Sequence, residues 1–149
     1  MKLRTFPWRA LMVVVLVVIG LPLAGKWARR SPGDRCTFDG ARIDRRFRVR
    51  VVDAQGQNHH FCCIYCAELW LAHQEAKPAA VFVTDEATGE EIDAASAWFV
   101  RSSVVTVAHT RNRIHAFGKH RDATRHADTA QGKELQDTER PFQGPGVRG

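Results

Sequence analysis

Hydrophobic positions change their period several times along this chain, and each change marks an element. From Ala10 to Gly25 the run led by Leu11-Met12-Val13-Val14-Val15-Leu16-Val17-Val18-Ile19 is apolar all round and follows Lys2, Arg4 and Arg9. That pattern is a membrane-targeting signal, lying between a signal-peptide core and a full span of about 20 residues. Pro22 stands where cleavage wants a small residue, and no cysteine follows Ala24 to accept a lipid, so an uncleaved anchor is favoured over a removed signal. Lys26, Arg29 and Arg30 make the far flank basic as well, and placing the following domain outside the cell is the default orientation.

A linker over 31–35, with Pro32 and Gly33, precedes a turn at Cys36-Thr37-Phe38-Asp39-Gly40. Phe47, Val49 and Val51 then alternate with Arg46, Arg48 and Arg50, the period of a strand whose arginine face is solvated. Asp53 to Asn58 reads as a turn, and His59 to Cys62 as the returning strand of a hairpin. Cys63, Cys66, Ala67, Trp70 and Leu71 share one face of a helix running to about Glu75, stopped by Lys77-Pro78. Ala80 to Thr84 predicts a third strand, and Asp85 to Gly89 a turn. Ile92, Ala95, Trp98 and Phe99 predict a short helix capped near Asp93. Val104 to Val107 and Ile114 to Phe117 predict strands, and Lys119 to Ala130 a helix ended by Gly132.

The fold class is therefore α+β: an N-terminal transmembrane helix or signal anchor, then a small domain of two strand-strand-helix units. Residues 1–30 form the anchor with its flanks, 31–35 the linker, 36–135 the domain, and 136–149 a polar, Pro- and Gly-containing disordered tail. Of 149 residues, those after the anchor are enough for one real core. The net charge of +6 is spread along the chain and fits anionic surfaces without naming a partner. No nucleic-acid motif is present, and arginines beside an apolar run are topology signals or lipid-headgroup contacts.

Chemistry concentrates at His59-His60-Phe61-Cys62-Cys63-Ile64-Tyr65-Cys66, which holds three of the four cysteines. Residues three or four apart on a helix share a face, so Cys62 or Cys63 with Cys66 puts two sulfurs within reach of one soft cation. Cys36 supplies a fourth sulfur from the domain's mouth. Two rival readings stand beside metal binding. Four cysteines outside the cytoplasm allow disulfides, although Cys62 and Cys63 are adjacent and Cys63 and Cys66 share a helix, which leaves Cys36 with one of the three as the feasible bridge. Free cysteines are also ordinary core filler. His59 and His60 point to opposite sheet faces, and His73 lies two helical turns beyond Cys66, so these read as surface polar residues. Trp70 and Trp98 read as core aromatics. A thiol-disulfide oxidoreductase using Cys63 and Cys66 is the enzymatic rival, yet the motif follows a hairpin rather than the first strand of a βαβ frame. No Ser-His-Asp set, phosphate loop or carboxylate pair offers other catalysis, and the commitment is to a non-enzymatic binding protein without a small-molecule substrate.

Two resemblances bear on the metal. Cys36 with Phe61-Cys62-Cys63 and Cys66 resembles the cysteine clusters of TRASH-type metal-trafficking domains and of segments preceding some copper-transporting ATPases. Val81-Phe82-Val83-Thr84-Asp85, Thr88-Gly89-Glu90-Glu91-Ile92-Asp93-Ala94, Ala97-Trp98-Phe99-Val100 and His115-Ala116-Phe117, with Ala123 and Gly132, resemble the NosL family of periplasmic copper chaperones associated with nitrous oxide reductase assembly. This likeness spans about Cys36 to Leu135 and implies a membrane-anchored, extracytoplasmic protein of the bacterial inner membrane that hands Cu(I) to a recipient metalloprotein or transporter. The chain departs from the family's C-x-x-C-G-M opening, keeping Cys36 and Gly40 but carrying Asp39 at the second cysteine and Ala41 at the methionine. Where the family has Pro-Met-Gly, this chain has Ala108-His109-Thr110, and His109 offers an imidazole in place of the thioether. The expected ligands are Cys36, Cys62, Cys63, Cys66, Asp39 and His109. Thiolates suit Cu(I) or Zn(II), and an Asp39 carboxylate tilts the set toward zinc, so copper transfer ranks first and a structural zinc site second.

Overall fold

In a computed structural model, residues 33–143 are described. The expected anchor at 10–25 lies outside them, and among the described residues no helix is long and apolar enough to cross a membrane.

Two sheets and two helices follow the linker. A 3-10 turn, Arg45–Phe47, leads into β1 (Val49–Val52), which pairs antiparallel with β2 (Asn58–Phe61). Helix α1 (Ile64–Leu71) follows, and β3 (Ala80–Thr84) returns to the other side of β1. β4 (Glu91–Asp93) extends the sheet to the order β2-β1-β3-β4. The second sheet repeats this path. β5 (Trp98–Arg101) pairs with β6 (Ile114–Phe117), α2 (His120–Thr129) crosses, and β7 (Lys133–Glu134) pairs with the free side of β5, giving β6-β5-β7. Each expected strand-strand-helix unit is thus completed by a third strand that brackets the first.

The core lies between α1 and the first sheet. The inward residues Val49, Val51 and Phe61 are at most 1% exposed and pack with Ala67, Val83 and Phe99. Burying side chains of this size contributes about 1.5–3 kcal/mol each. The arginine row is less simply solvated than its period implied, because Arg50 pairs with Glu91 and lies 4.1 Å from the centroid of the Phe82 ring. At the centre of the second unit is a polar contact set. Buried His115 meets Ser102 Oγ at 2.9 Å and Glu86 Oε2 at 2.9 Å, and the His126 ring lies tilted against it at 4.2 Å. Those bonds satisfy both ring nitrogens and tie the 102–104 loop to β6.

Several expectations are corrected. The helix capped near Asp93 is instead β4, a turn and β5, because Asp93 Oδ1 accepts from Ala95 N at 2.8 Å and its carbonyl from Ser96 N at 3.1 Å, closing a turn. Backbone pairing of Trp98–Arg101 with β6, and of Val100 and Arg101 with β7 as well, then overrides the helical spacing of Ile92, Ala95 and Phe99. Val104 to Val107 is a loop carrying only the isolated bridge Val107 to Asn112, with Val104 and Val105 exposed. Helix α1 ends at Leu71 rather than near Glu75, four residues short. Trp98 is 45% exposed and stacks on His120 at 4.3 Å, so it is a surface aromatic.

From Gln136 the chain departs from the expected polar tail as far as Gln143. A 3-10 turn at Asp137–Glu139 precedes Arg140, whose guanidinium donates to the carbonyls of Ala94, Ala95 and Ala97 at 3.3, 2.9 and 2.8 Å. Phe142 is 6% exposed, edge-on to Phe99 at 6.4 Å, and its N–H donates to Glu68 of α1 at 3.3 Å. One aromatic and one arginine suffice to dock a segment whose composition is otherwise that of a coil.

Candidate metal centre

Three segments meet at the N-terminal end of α1. The first is a hairpin closed by the Arg35 to Arg42 bridge, with Cys36 N–H donating to Ala41 O at 2.8 Å and Gly40 N–H to Cys36 O at 2.9 Å. Gly40 sits at φ +72°, the left-handed region that glycine enters without strain. Asp39 Oδ1 accepts from Ala41 N at 2.9 Å, which leaves Oδ2 directed at the cysteines. The hairpin is fastened to β2 by Thr37 N–H to His60 O at 2.7 Å and His60 N–H to Thr37 Oγ1 at 3.2 Å. Those two bonds bring Cys36 beside Cys62, a proximity that sequence spacing does not contain.

The second segment is the β2–α1 junction. Phe61 ends β2, the chain bends at Cys62 and Cys63, and Cys63 caps α1 with an extended backbone, φ −165°, and no side-chain capping bond. Cys66, in the first helical turn, therefore comes back toward Cys62, and their sulfurs are 3.6 Å apart. The third segment is the loop between Thr106 and Asn112. Buried Asn112 donates to Thr106 Oγ1 at 2.7 Å and to Ile114 O at 3.0 Å, and Arg111 takes φ +53°. This loop holds His109 Nε2 at 2.8 Å from Asp39 Oδ2 and 3.9 Å from Cys62 Sγ.

Donor atoms of Cys36, Asp39, Cys62 and Cys66 all lie within 4.8 Å of one another. All four cysteines of the chain are free thiols. Cys63 falls outside this quartet, with its Sγ 3.9 Å from Cys62 Sγ and 3.4 Å from Thr110 Oγ1. His109 is beside it, bonded to the Asp39 carboxylate, with half of its side chain exposed. His59 is occupied elsewhere, on Asp53 at 2.8 Å and against Trp70 at 4.5 Å. His60 packs on Gly33, and His73 meets Leu69 O at 2.7 Å. Sequence reading missed Thr110 and Asn112, whose only signal was that Asn and Thr favour turns.

The electrostatics of the quartet are divided. Burial, and next the neighbouring Cys63, push the thiols of Cys62 and Cys66 well above the ordinary cysteine range. Burial also acts to raise Asp39, but hydrogen bonds from Ala41 N, Cys36, His109 and Cys66 outweigh it and hold the carboxyl below the usual carboxylate range. The site thus keeps one ionised oxygen beside the protonated sulfurs of Cys62 and Cys66. Such a donor set fits a soft cation that displaces the thiol protons. Two sulfurs on one ion at about 2.3 Å are separated by about 3.8 Å when tetrahedral, and the Cys62 to Cys66 separation of 3.6 Å is already near that value.

Comparison with known proteins follows the same lines. A family model described as NosL matches residues 31–140. The crystal structure of the copper chaperone NosL from Shewanella denitrificans shares the fold, with a TM-score of 0.59 over 70% of this chain and 87% of that one, at 21% identity. None of the curated proteins compared matches the chain.

Proposed function

The chain belongs to the NosL family, and on that footing we propose that it is a copper chaperone, an extracytoplasmic protein that takes Cu(I) as cargo and releases it to a recipient metalloprotein or metal transporter. The reading rests on one observation, the convergence of Cys36, Asp39, Cys62 and Cys66 within 4.8 Å. Three sulfurs select a soft ion, and thiolate sites of this kind hold Cu(I) tightly. The solved protein of the same fold is a copper chaperone, which agrees with that cargo. Residues 10–25 tether the domain to the inner membrane on the strength of their apolar run and basic flank, and the domain follows the linker at 31–35.

Release would use the exposed rim of the site. The cysteine side chains are buried, whereas Asp39 and His109 reach solvent, so an incoming ligand from a recipient meets these first. Displacing the weak carboxylate costs little beside a thiolate, because carboxylates are poor Cu(I) ligands. The thiols then recover their protons as the ion leaves, which the raised Cys62 and Cys66 favour.

A structural zinc site is the second reading, favoured specifically by the carboxylate. Three sulfurs and Asp39 make a closed four-donor set of the tetrahedral kind zinc takes. Redox catalysis by Cys63 and Cys66 is disfavoured, because a reactive thiol must be reached by its substrate and both sulfurs are fully buried. The deciding experiment is an anaerobic titration of the reduced protein with Cu(I) and Zn(II) against chelators, on the parent, Cys36→Ser and Cys66→Ser. Tight Cu(I) binding weakened by both substitutions is expected. Zinc bound in preference, with unfolding on its removal, would replace copper transfer by the structural reading.

A further inference from the structure

The quartet leaves one sulfur unused. Cys63 is completely buried, at the N-cap of α1, and its Sγ meets Thr110 Oγ1 at 3.4 Å and Cys62 Sγ at 3.9 Å. Cys63 belongs to the hydrophobic core and also borders a row of donors through Cys62, whose Sγ is 3.6 Å from Cys66 Sγ, 3.8 Å from Asp39 Oδ2 and 3.9 Å from His109 Nε2. Cys62 is thus a member of the quartet with Cys36, Asp39 and Cys66 and also the sulfur that lies 3.9 Å from both Cys63 Sγ and His109 Nε2.

We propose that the cluster holds two Cu(I) ions bridged by the Cys62 thiolate, the first on Cys36, Cys62 and Cys66 and the second on Cys62 and Cys63 with the His109 imidazole. This rests on the copper reading above and adds a second metal position to it. The separations are right for the task, since two sulfurs on one trigonal ion at about 2.3 Å lie about 4 Å apart, against 3.9 Å for Cys62 and Cys63. Thiolate sulfur carries several lone pairs, so one sulfur can serve two soft ions.

Loading the second ion is a metal-for-proton exchange. When the second ion binds, a copper–sulfur bond forms at Cys63, its S–H bond breaks and the proton goes to solvent, with no change in the oxidation state of copper or sulfur. A monovalent ion exchanged for a proton leaves the net charge of the buried cluster unchanged, so the second step adds no uncompensated charge to the interior. Two sulfurs and an imidazole are soft and borderline donors, the kind that suits Cu(I).

The test is stoichiometry. Reduced full-length protein is titrated anaerobically with chelator-buffered Cu(I), and bound metal is counted by native mass spectrometry and by metal analysis, alongside Cys63→Ser. Two copper ions per chain are expected in the parent and one in Cys63→Ser. X-ray absorption of the copper-loaded parent should show a short copper–copper vector that Cys63→Ser lacks. Saturation of the parent at one copper ion would overturn the two-ion site while leaving the chaperone reading in place, as would two ions retained by Cys63→Ser. No tight copper in the parent would overturn both.

Discussion

Lowering the pH from about 8 to about 6 should weaken metal binding steeply, and the slope can be worked from the site. Cys62 and Cys66 are both pushed upward, first by burial and then by the charge of Cys63, so each carries its proton throughout this range. A soft ion binds them as thiolates and must release both protons. From these two sulfurs alone the logarithm of the affinity rises by at least two for each pH unit, a factor of at least about 100 or about 2.7 kcal/mol. Asp39 adds nothing to this slope. Its carboxyl is held below the ordinary range, since the hydrogen bonds from Ala41 N, Cys36, His109 and Cys66 outweigh burial, and it stays ionised from about pH 5 upward. The sign follows from the raised pKa values: metal affinity grows with pH and falls in acid. Chelator competition at several pH values, corrected for the chelator's own protonation, measures the slope, and titration in weakly buffered solution counts the protons released. A slope near zero would mean that the sulfurs are already thiolates in the metal-free protein and would refute the argument from burial.

Asp39→Asn should reduce zinc affinity by about 10- to 100-fold while changing Cu(I) affinity by less than about threefold, because the carboxylate is a good ligand only for the harder ion. Parallel competition titrations read the ratio, and equal losses for both ions would remove Asp39 from the coordination argument. Phe142→Ala should destabilise the domain by about 3–5 kcal/mol in urea unfolding, the usual loss on truncating a buried Phe to Ala, since this ring is buried edge-on to Phe99. A change below about 1 kcal/mol would show that the segment after Gln136 contributes little to the core.

Much of the architecture was legible because local patterns decided it. The alternation through Val49 and Val51, the hairpin turn at Asp53 to Asn58 and the helical face of Cys66, Ala67 and Leu71 each survive folding. So does the pairing of strands with helices in two units. The misreadings have physical causes of their own. Ile92, Ala95 and Phe99 keep a helical spacing, yet strand pairing across β5 and the turn closed by Asp93 decide their conformation. Val104 and Val105 have strand propensity and no partner strand.

The sequence by itself determined that a soft-metal cluster could form around Cys62, Cys63 and Cys66, because those positions are neighbours through one strand end and one helical turn. It also marked the departures at Asp39 and His109. Which donors share a site was decided by tertiary structure alone. Two backbone and side-chain bonds between Thr37 and His60 carry Cys36 and Asp39 to the cluster across 23 positions of chain. The 106–112 loop then lays His109 against Asp39, 70 positions away. Spacing along a chain fixes contacts only within a helix turn or a hairpin, whereas long-range proximity depends on which edges and loops pack together, and that is set by the whole core.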